Sequence, residues 1–239
     1  WDAIVIGTGI GGGTAGRALA EAGMRVLFVE RGRAGLRREA NPMTPTPLPE
    51  ARLARGAWPL PMTVRLDGHQ IEMFPPIGAG VGGSSVFYAA TLERPERHDL
   101  DDLPDRPHPT GGWPVSFDAM QPWFERAARQ YRLYGTPDPL SDAPPLPLRS
   151  PPQAPTPVET ALSDALERAG LHPYRSHTAM ERLPGCTGCT GHKCPRACKM
   201  DGRSAGVEPA LATGKAQLLT GAEVIRMICP DGHVAGLEV

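Results

Sequence analysis

The sequence predicts an α/β fold built around parallel strands, and three observations predict it. An apolar run from Asp2 to Ile6 ends in a glycine cluster, as a buried parallel strand does. A pattern of small residues from Ala15 to Ala22 then reads as a helix, with Gly23 placed as its C-cap. A second apolar run, Arg25 to Val29, completes a strand–helix–strand unit of about thirty residues.

After this unit the text changes. Residues 34–76 are Pro-rich and irregular, with hairpin-like alternation from Met62 to Met73 and a second glycine cluster at Gly78 to Gly83. Phe117 to Tyr134 is an amphipathic helix, with Phe117, Met120, Trp123, Phe124, Ala127, Ala128 and Tyr131 at helical spacing. Nine prolines in the twenty-two residues 136–157 exclude helix and sheet, so this stretch is expected to be a linker or an extended arm. Val158 to Ala169 is a further helix, stopped by Gly170. A cysteine cluster at 186–198 leads into a short helix, Val207 to Thr213, and a strand, Ala222 to Met227. Val234 to Val239 is its return strand, turned at Pro230-Asp231-Gly232. The chain shows no internal repeat.

Charge and composition exclude some functions. The formal net charge is -1, so no excess of charge points to nucleic acid or an anionic membrane. No apolar run approaches the ~18 residues of a spanning helix. With 28 glycines and 28 prolines, many turns and long irregular connections are expected. Strand pattern begins at once after Trp1 and still runs at Val239, so the chain is expected to be a piece of a longer protein, truncated at its C-terminus. Localisation cannot be read from such a piece.

The first glycine cluster is chemically specific. Gly7-Thr8-Gly9-Ile10-Gly11-Gly12 fits G-x-G-x-x-G between a strand and a helix. In that pattern Gly7 allows the tight turn, Gly9 lets the backbone approach a pyrophosphate, and Gly12 lets the helix pack closely on the strand. The helix N-terminus adds N–H groups and partial positive charge. Glu30 closes the second strand, twenty-three residues after Gly7, where a carboxylate can take a ribose diol. A Rossmann-like dinucleotide site follows, against the alternative of a glycine-rich turn beside a surface glutamate. NAD and FAD use the same loop, so the loop alone does not choose between them.

The second cluster does. Gly78-Ala79-Gly80-Val81-Gly82-Gly83-Ser84-Ser85-Val86-Phe87-Tyr88 concentrates glycines that lose much entropy on ordering, which suits close backbone approach to something large and flat or anionic, against the alternative of a flexible surface loop, with which the apolar Val86-Phe87-Tyr88 sits badly. Together with later landmarks this segment resembles the glucose-methanol-choline (GMC) oxidoreductases. Those landmarks are Gly112-Trp113-Pro114-Val115-Ser116-Phe117-Asp118, Cys194-Pro195-Arg196-Ala197-Cys198-Lys199, Glu208-Pro209-Ala210-Leu211 and Gly221-Ala222-Glu223-Val224. They stand in the family's order across nearly the whole chain.

The resemblance implies a glutathione-reductase-like FAD-binding domain with the start of a substrate domain. Its first part would be residues 1–135. Residues 136–185 would be a Pro-rich linker and the start of the substrate region, and 186–239 a Cys-rich segment returning to the FAD domain. Gly7, Gly9 and Gly12 would hold the pyrophosphate, and Glu30 the adenosine ribose with Arg31 beside it. Gly80, Gly82, Gly83 and Ser84 would lie along the pyrophosphate and ribityl chain, and Val224 would contact the adenine through its backbone. An alcohol carbon would give its hydride to flavin N5, and a His paired with His or Asn, far downstream, would take the hydroxyl proton. None of His69, His98, His108, His172, His177, His192 and His233 fits that motif; they are expected at surfaces and turns, and the chain by itself is expected to be inactive.

Four of the five cysteines fall within thirteen residues, as Cys186-x2-Cys189-x4-Cys194-x3-Cys198. Three readings stay open. Thiolates converging from a glycine-permissive loop suit an iron–sulfur cluster, and four thiolates at short spacing suit zinc. Disulfides or plain loop thiols are the third, and disulfides need an oxidising compartment. By resemblance, some bacterial GMC dehydrogenases carry an iron–sulfur cluster on a segment similar to Cys189–Cys198 and pass electrons to a cytochrome. Cys229 is expected to be a packing residue. The expected activity is FAD-dependent oxidation of an alcohol or sugar, with electrons leaving to an acceptor other than NAD. An oxygen-using oxidase and a non-catalytic flavin or electron-transfer module are the alternatives.

Overall fold

A computed structural model describes residues 1–35, 37, 48–151, 153–186 and 188–239; part of the Pro-rich text expected across 34–76 therefore lies outside the described residues. In chain order the elements are β1 (Ala3–Ile6), α1 (Ile10–Glu21), β2 (Val26–Glu30), α2 (Pro49–Ala54), β3 (Met62–Leu66), β4 (His69–Met73), α3 (Phe117–Gln130), α4 (Pro157–Arg168), α5 (Glu208–Ala212), β5 (Ala216–Thr220), β6 (Arg226–Ile228) and β7 (Gly236–Glu238). They fall into two compact units, Trp1–Ala89 with Gly188–Val239, and Ala90–Thr187.

The first unit is organised by a three-stranded parallel sheet of order β1-β2-β5. The expected β1–α1–β2 unit is present, but α1 begins at Ile10, five residues before the Ala15 read from sequence. Two glycines of its opening turns leave no room for a side chain: a Cβ on Gly12 would stand 2.1 Å from the Gly7 carbonyl oxygen, and one on Gly13 2.5 Å from that of Gly202. The third strand, β5, carries no sequence signal, since Ala-Gln-Leu-Leu-Thr lacks both alternation and a β-branched run. Pairing with β2 across nearly two hundred residues makes it a strand.

The core of this unit gathers Ala20 from α1, Val26 and Phe28 from β2, Val81, Val207, and Ala210 and Ala216 around α5 and β5. Phe28 is fully buried, which stabilises the fold by about 2–3 kcal/mol relative to an exposed ring. The expected hairpin around Met62 to Met73 forms as β3–β4, turned on Asp67 and Gly68, both with positive φ, as a mirror-image two-residue turn requires. The C-terminal hairpin also forms, between β6 and β7. Its first strand is shorter than expected, because residues 222–225 leave strand geometry and Ala222 N–H instead donates to the Glu30 carbonyl.

The second unit holds α3 and α4, and its described residues contain no strand, only isolated bridges. Ser116 caps α3 by accepting from Ala119 N–H, and Thr156 and Glu159 cap α4 reciprocally, with Pro157 at the first helical position. α3 ends at Gln130, short of the expected Tyr134, because Arg132 takes a left-handed φ of +50°. Trp123, read as part of the apolar stripe, is exposed. Residues 136–156 form no helix or strand among those described. Residues 90–135, grouped with the first domain on sequence, fall in this unit. The guanidiniums of Arg94 and Arg97 lie 5.4 and 4.9 Å from the buried Phe117 ring, and Tyr134 bridges to both Arg149 and Thr178.

Candidate functional site

The two glycine clusters of the first unit are one construction. β1 runs out at Ile6, and Gly7 N–H donates to the Val29 carbonyl at 2.8 Å, tying the first loop to the end of β2. Glu30, buried at the tip of β2, reaches back. Its Oε2 accepts from Thr8 N–H (3.1 Å) and from Thr8 Oγ1 (2.5 Å), while Oε1 accepts from Gly32 N–H (2.9 Å). Thr8 Oγ1 in turn accepts from Gly82 N–H at 3.1 Å. A buried carboxylate therefore fixes the first loop, and the hydroxyl it holds fixes the second.

The second cluster folds as a tight turn, Gly83–Val86, entered through Gly82 at a φ of +98°, which favours glycine. Gly78 N–H donates to Ser84 Oγ at 2.9 Å, and Ser85 Oγ donates to the Gly82 carbonyl at 2.5 Å. The same Ser85 oxygen accepts from Gly202 N–H at 2.9 Å. Gly202 opens a wide helical turn, Gly202–Val207, capped by Asp201 and packed along α1. The backbones of Gly9, Gly83 and Gly202 meet so closely that a Cβ on Gly202 would stand 2.6 Å from the Gly9 carbonyl carbon.

A cleft of about 450 Å³ opens on this construction, lined by Gly7, Gly9, Glu30, Arg31, Gly83, Ser84 and Val224. Seven of the ten residues expected to bind the cofactor thus line one cavity. Gly12, Gly80 and Gly82 do not line it and act from behind. Gly12 lets α1 approach, Gly80 packs against the Arg33 carbonyl, and Gly82 ties the second cluster to Thr8. Arg31 is steadied by Glu223 at 3.3 Å and by the Trp58 ring at 4.2 Å.

The cleft suits a dinucleotide on its own evidence. α1 begins there with Gly9 as N-cap, no capping side chain and no acidic residue in its first turn, so its positive end is left for an anion. A Cβ on Gly9 would meet nothing within 4 Å, so no neighbour in the chain demands a glycine at that position; a ligand's close approach would. A carboxylate offers about four acceptor positions; Glu30 uses three, which leaves one toward a diol. Sequence reasoning missed Thr8, because its role depends on two partners that only the fold brings near.

The cysteine segment is organised differently from the glycine clusters. Among the described residues no three His, Cys, Asp or Glu side chains form a group able to hold a metal ion. Neither the iron–sulfur nor the zinc reading of Cys186, Cys189, Cys194 and Cys198 is therefore supported. Cys186 falls in the second unit; Cys189, Cys194 and Cys198 are buried in the first. The loop is instead organised around a cation of its own. Lys199 is fully buried, and its Nζ donates to the carbonyls of Tyr88 (3.1 Å), Cys189 (2.7 Å) and His192 (2.6 Å). Burial pulls its pKa down, and the nearby Asp201, Cys189, Cys194 and Cys198 push back.

Burial pushes the Cys194 thiol up, but hydrogen bonds from the N–H groups of Lys199, Arg196 and Cys198 and from the Cys198 thiol outweigh it, so the thiol titrates below its ordinary value. Burial raises Asp201. Two further expectations fail. Cys229 is exposed, not packed, and His177 in the second unit is buried, with Nδ1 2.9 Å from Glu93 and Nε2 3.0 Å from the Thr136 carbonyl oxygen.

A family model described as GMC oxidoreductase matches residues 2–239. The chain is 28% identical to a 6'''-hydroxyparomomycin C oxidase of Streptomyces lividus, with 95% of this chain and 42% of that protein covered. It is 26% identical to a paromamine 6'-oxidase of Streptomyces fradiae, over 95% of this chain and 41% of that protein. The chain thus spans about two fifths of the length of these relatives. Among solved structures it is similar in fold to formate oxidase of Aspergillus oryzae, with TM-score 0.56, 18% identity, and 96% of this chain and 40% of that chain covered. It is also similar to pyridoxine 4-oxidase of Mesorbium loti, with TM-score 0.54, 16% identity, and 99% and 45% covered.

Proposed function

Because the chain belongs to the GMC oxidoreductase family, we propose that it supplies the FAD site of an enzyme that oxidises an alcohol carbon. The observation that carries this reading is the single cleft onto which both glycine clusters, Glu30 and Val224 converge, at the uncapped start of α1. Gly7, Gly9 and the first turn of α1 hold the diphosphate, and Glu30 takes the ribose diol with its remaining lone pair. Arg31 and the backbone of Val224 border the adenine. Gly83 and Ser84 flank the ribityl end, while Gly12, Gly80 and Gly82 keep the loops in place behind. When bound, FAD supplies the hydride acceptor.

The substrate class we propose is a carbohydrate hydroxyl. Its support is that the two relatives are named for oxidising paromamine and 6'''-hydroxyparomomycin C. No metal-holding group among the described residues supports a protein electron acceptor. Oxygen, in line with the relatives' names, is the acceptor we propose instead.

The test is FAD titration of the purified chain, read by visible absorption and by flavin fluorescence. Bound flavin is expected, with affinity at least tenfold weaker in Glu30→Ala. A chain that takes up no flavin, or binds it equally well without Glu30, overturns this assignment. Anaerobic bleaching of the flavin by candidate sugars, in the longer protein, tests the substrate class.

A further inference from the structure

We infer that Cys194 and Cys198 form a reversible disulfide, closed by hydrogen peroxide entering a small cavity on Cys194. The two sulfurs lie 3.4 Å apart, and Cys198 N–H donates to Cys194 Sγ at 3.3 Å. A disulfide bond is about 2.05 Å long, so closure needs a combined movement of about 1.4 Å. Both cysteines sit in one turn, shaped by Pro195 and by Ala197 at a φ of +56°, so no helix or strand has to shift. Neither sulfur is held by a metal-binding group among the described residues.

Both thiols are buried, so the oxidant has to be small. A cavity of about 20 Å³ is bordered by Cys194 together with Lys193, Arg33, Arg203, Asp201 and Gly80. That is room for a water-sized molecule, and peroxide is little larger. The cationic lining suits a reaction that expels hydroxide.

The chemistry is a two-electron oxidation in two displacements. Cys194 sulfur attacks one peroxide oxygen. The O–O bond breaks, an S–O bond forms, and the other oxygen leaves as hydroxide, which takes the thiol's proton to become water. Cys198 sulfur then attacks Cys194 sulfur. The S–S bond forms, the S–O bond breaks, and the hydroxyl leaves with the Cys198 proton as a second water. One peroxide and two thiols become two waters and one disulfide.

The experiment treats the purified chain with one equivalent of hydrogen peroxide, denatures it in N-ethylmaleimide and cleaves after lysine. Cleavage after Lys193 and Lys199 releases both cysteines in one peptide, Cys194–Lys199. The expected product is that peptide lighter by two hydrogens and unlabelled, with both labels restored after dithiothreitol. In Cys198→Ser the oxidation should stop at a sulfenic acid on Cys194, captured by dimedone. Full labelling of both cysteines after peroxide overturns the inference. So does a bridge to Cys189, or stoichiometric iron or zinc shielding these thiols. Should Cys198→Ser fail to fold, the unaltered chain decides alone.

Discussion

Two buried charges hold two loops of the first unit, and they do so with opposite chemistry. Glu30 is a carboxylate that gathers N–H and O–H donors from Thr8 and Gly32; Lys199 is an ammonium that gathers three carbonyls. Each offsets the cost of burying a charge by satisfying backbone groups that would otherwise go unpaired. They differ in what remains. An ammonium has three donors, and all three of Lys199 are taken. Glu30 keeps an acceptor position and lines an open cleft. The saturated charge is a structural pin, and the unsaturated one can receive a ligand.

The comparison is most severely tested at Lys199. Lys199→Met should leave three buried carbonyls without a donor and cost about 4 kcal/mol, read as a shift of the denaturant midpoint. A small loss would mean that water replaces the ammonium and that Lys199 is no pin. Thr8→Val keeps the side-chain volume but removes the link between Glu30 and Gly82 N–H, so about 1–3 kcal/mol should be lost. FAD affinity should fall with it, because both glycine loops loosen; unchanged affinity would separate the loops energetically. Cys229→Ser is the smallest. At this exposed position the effect should stay within about 0.5 kcal/mol, with peroxide chemistry at Cys194 and Cys198 intact.

What the sequence revealed, and what it hid, follows the same division. Glycine spacing is a local covalent pattern, and the turns it demands at Gly7 and Gly82 are local too, so the residues that line the glycine-rich cleft are legible in outline. The hairpin at Met62 to Met73 was legible for the same reason. Thr8, Lys199 and His177 were not, because their roles depend on partners distant in the chain, such as Gly82, Tyr88 and Glu93. The cysteines show the limit from the other side. Spacing established that four thiols are near in sequence, but not that their sulfurs converge on one point. α1 was misjudged at its start because a run of glycines reads as loop, although here the glycines make close packing against Gly7 and Gly202 possible.

The sheet order β1-β2-β5 has a consequence for how the chain folds. β5 at Ala216–Thr220 pairs with β2 at Val26–Glu30, so nearly two hundred residues must be made before the sheet can acquire its third strand. Closing so long a loop costs only about 0.6 kcal/mol more for each doubling of its length, yet contacts this remote slow folding considerably. During synthesis from the N-terminus, β1, α1 and β2 are therefore exposed for the whole interval in which residues 90–187 are made. Pulse-labelled hydrogen exchange should find the amides of β2 protected no earlier than those of β5. Protection of β2 ahead of β5 would show that the nascent strand–helix–strand unit holds together alone.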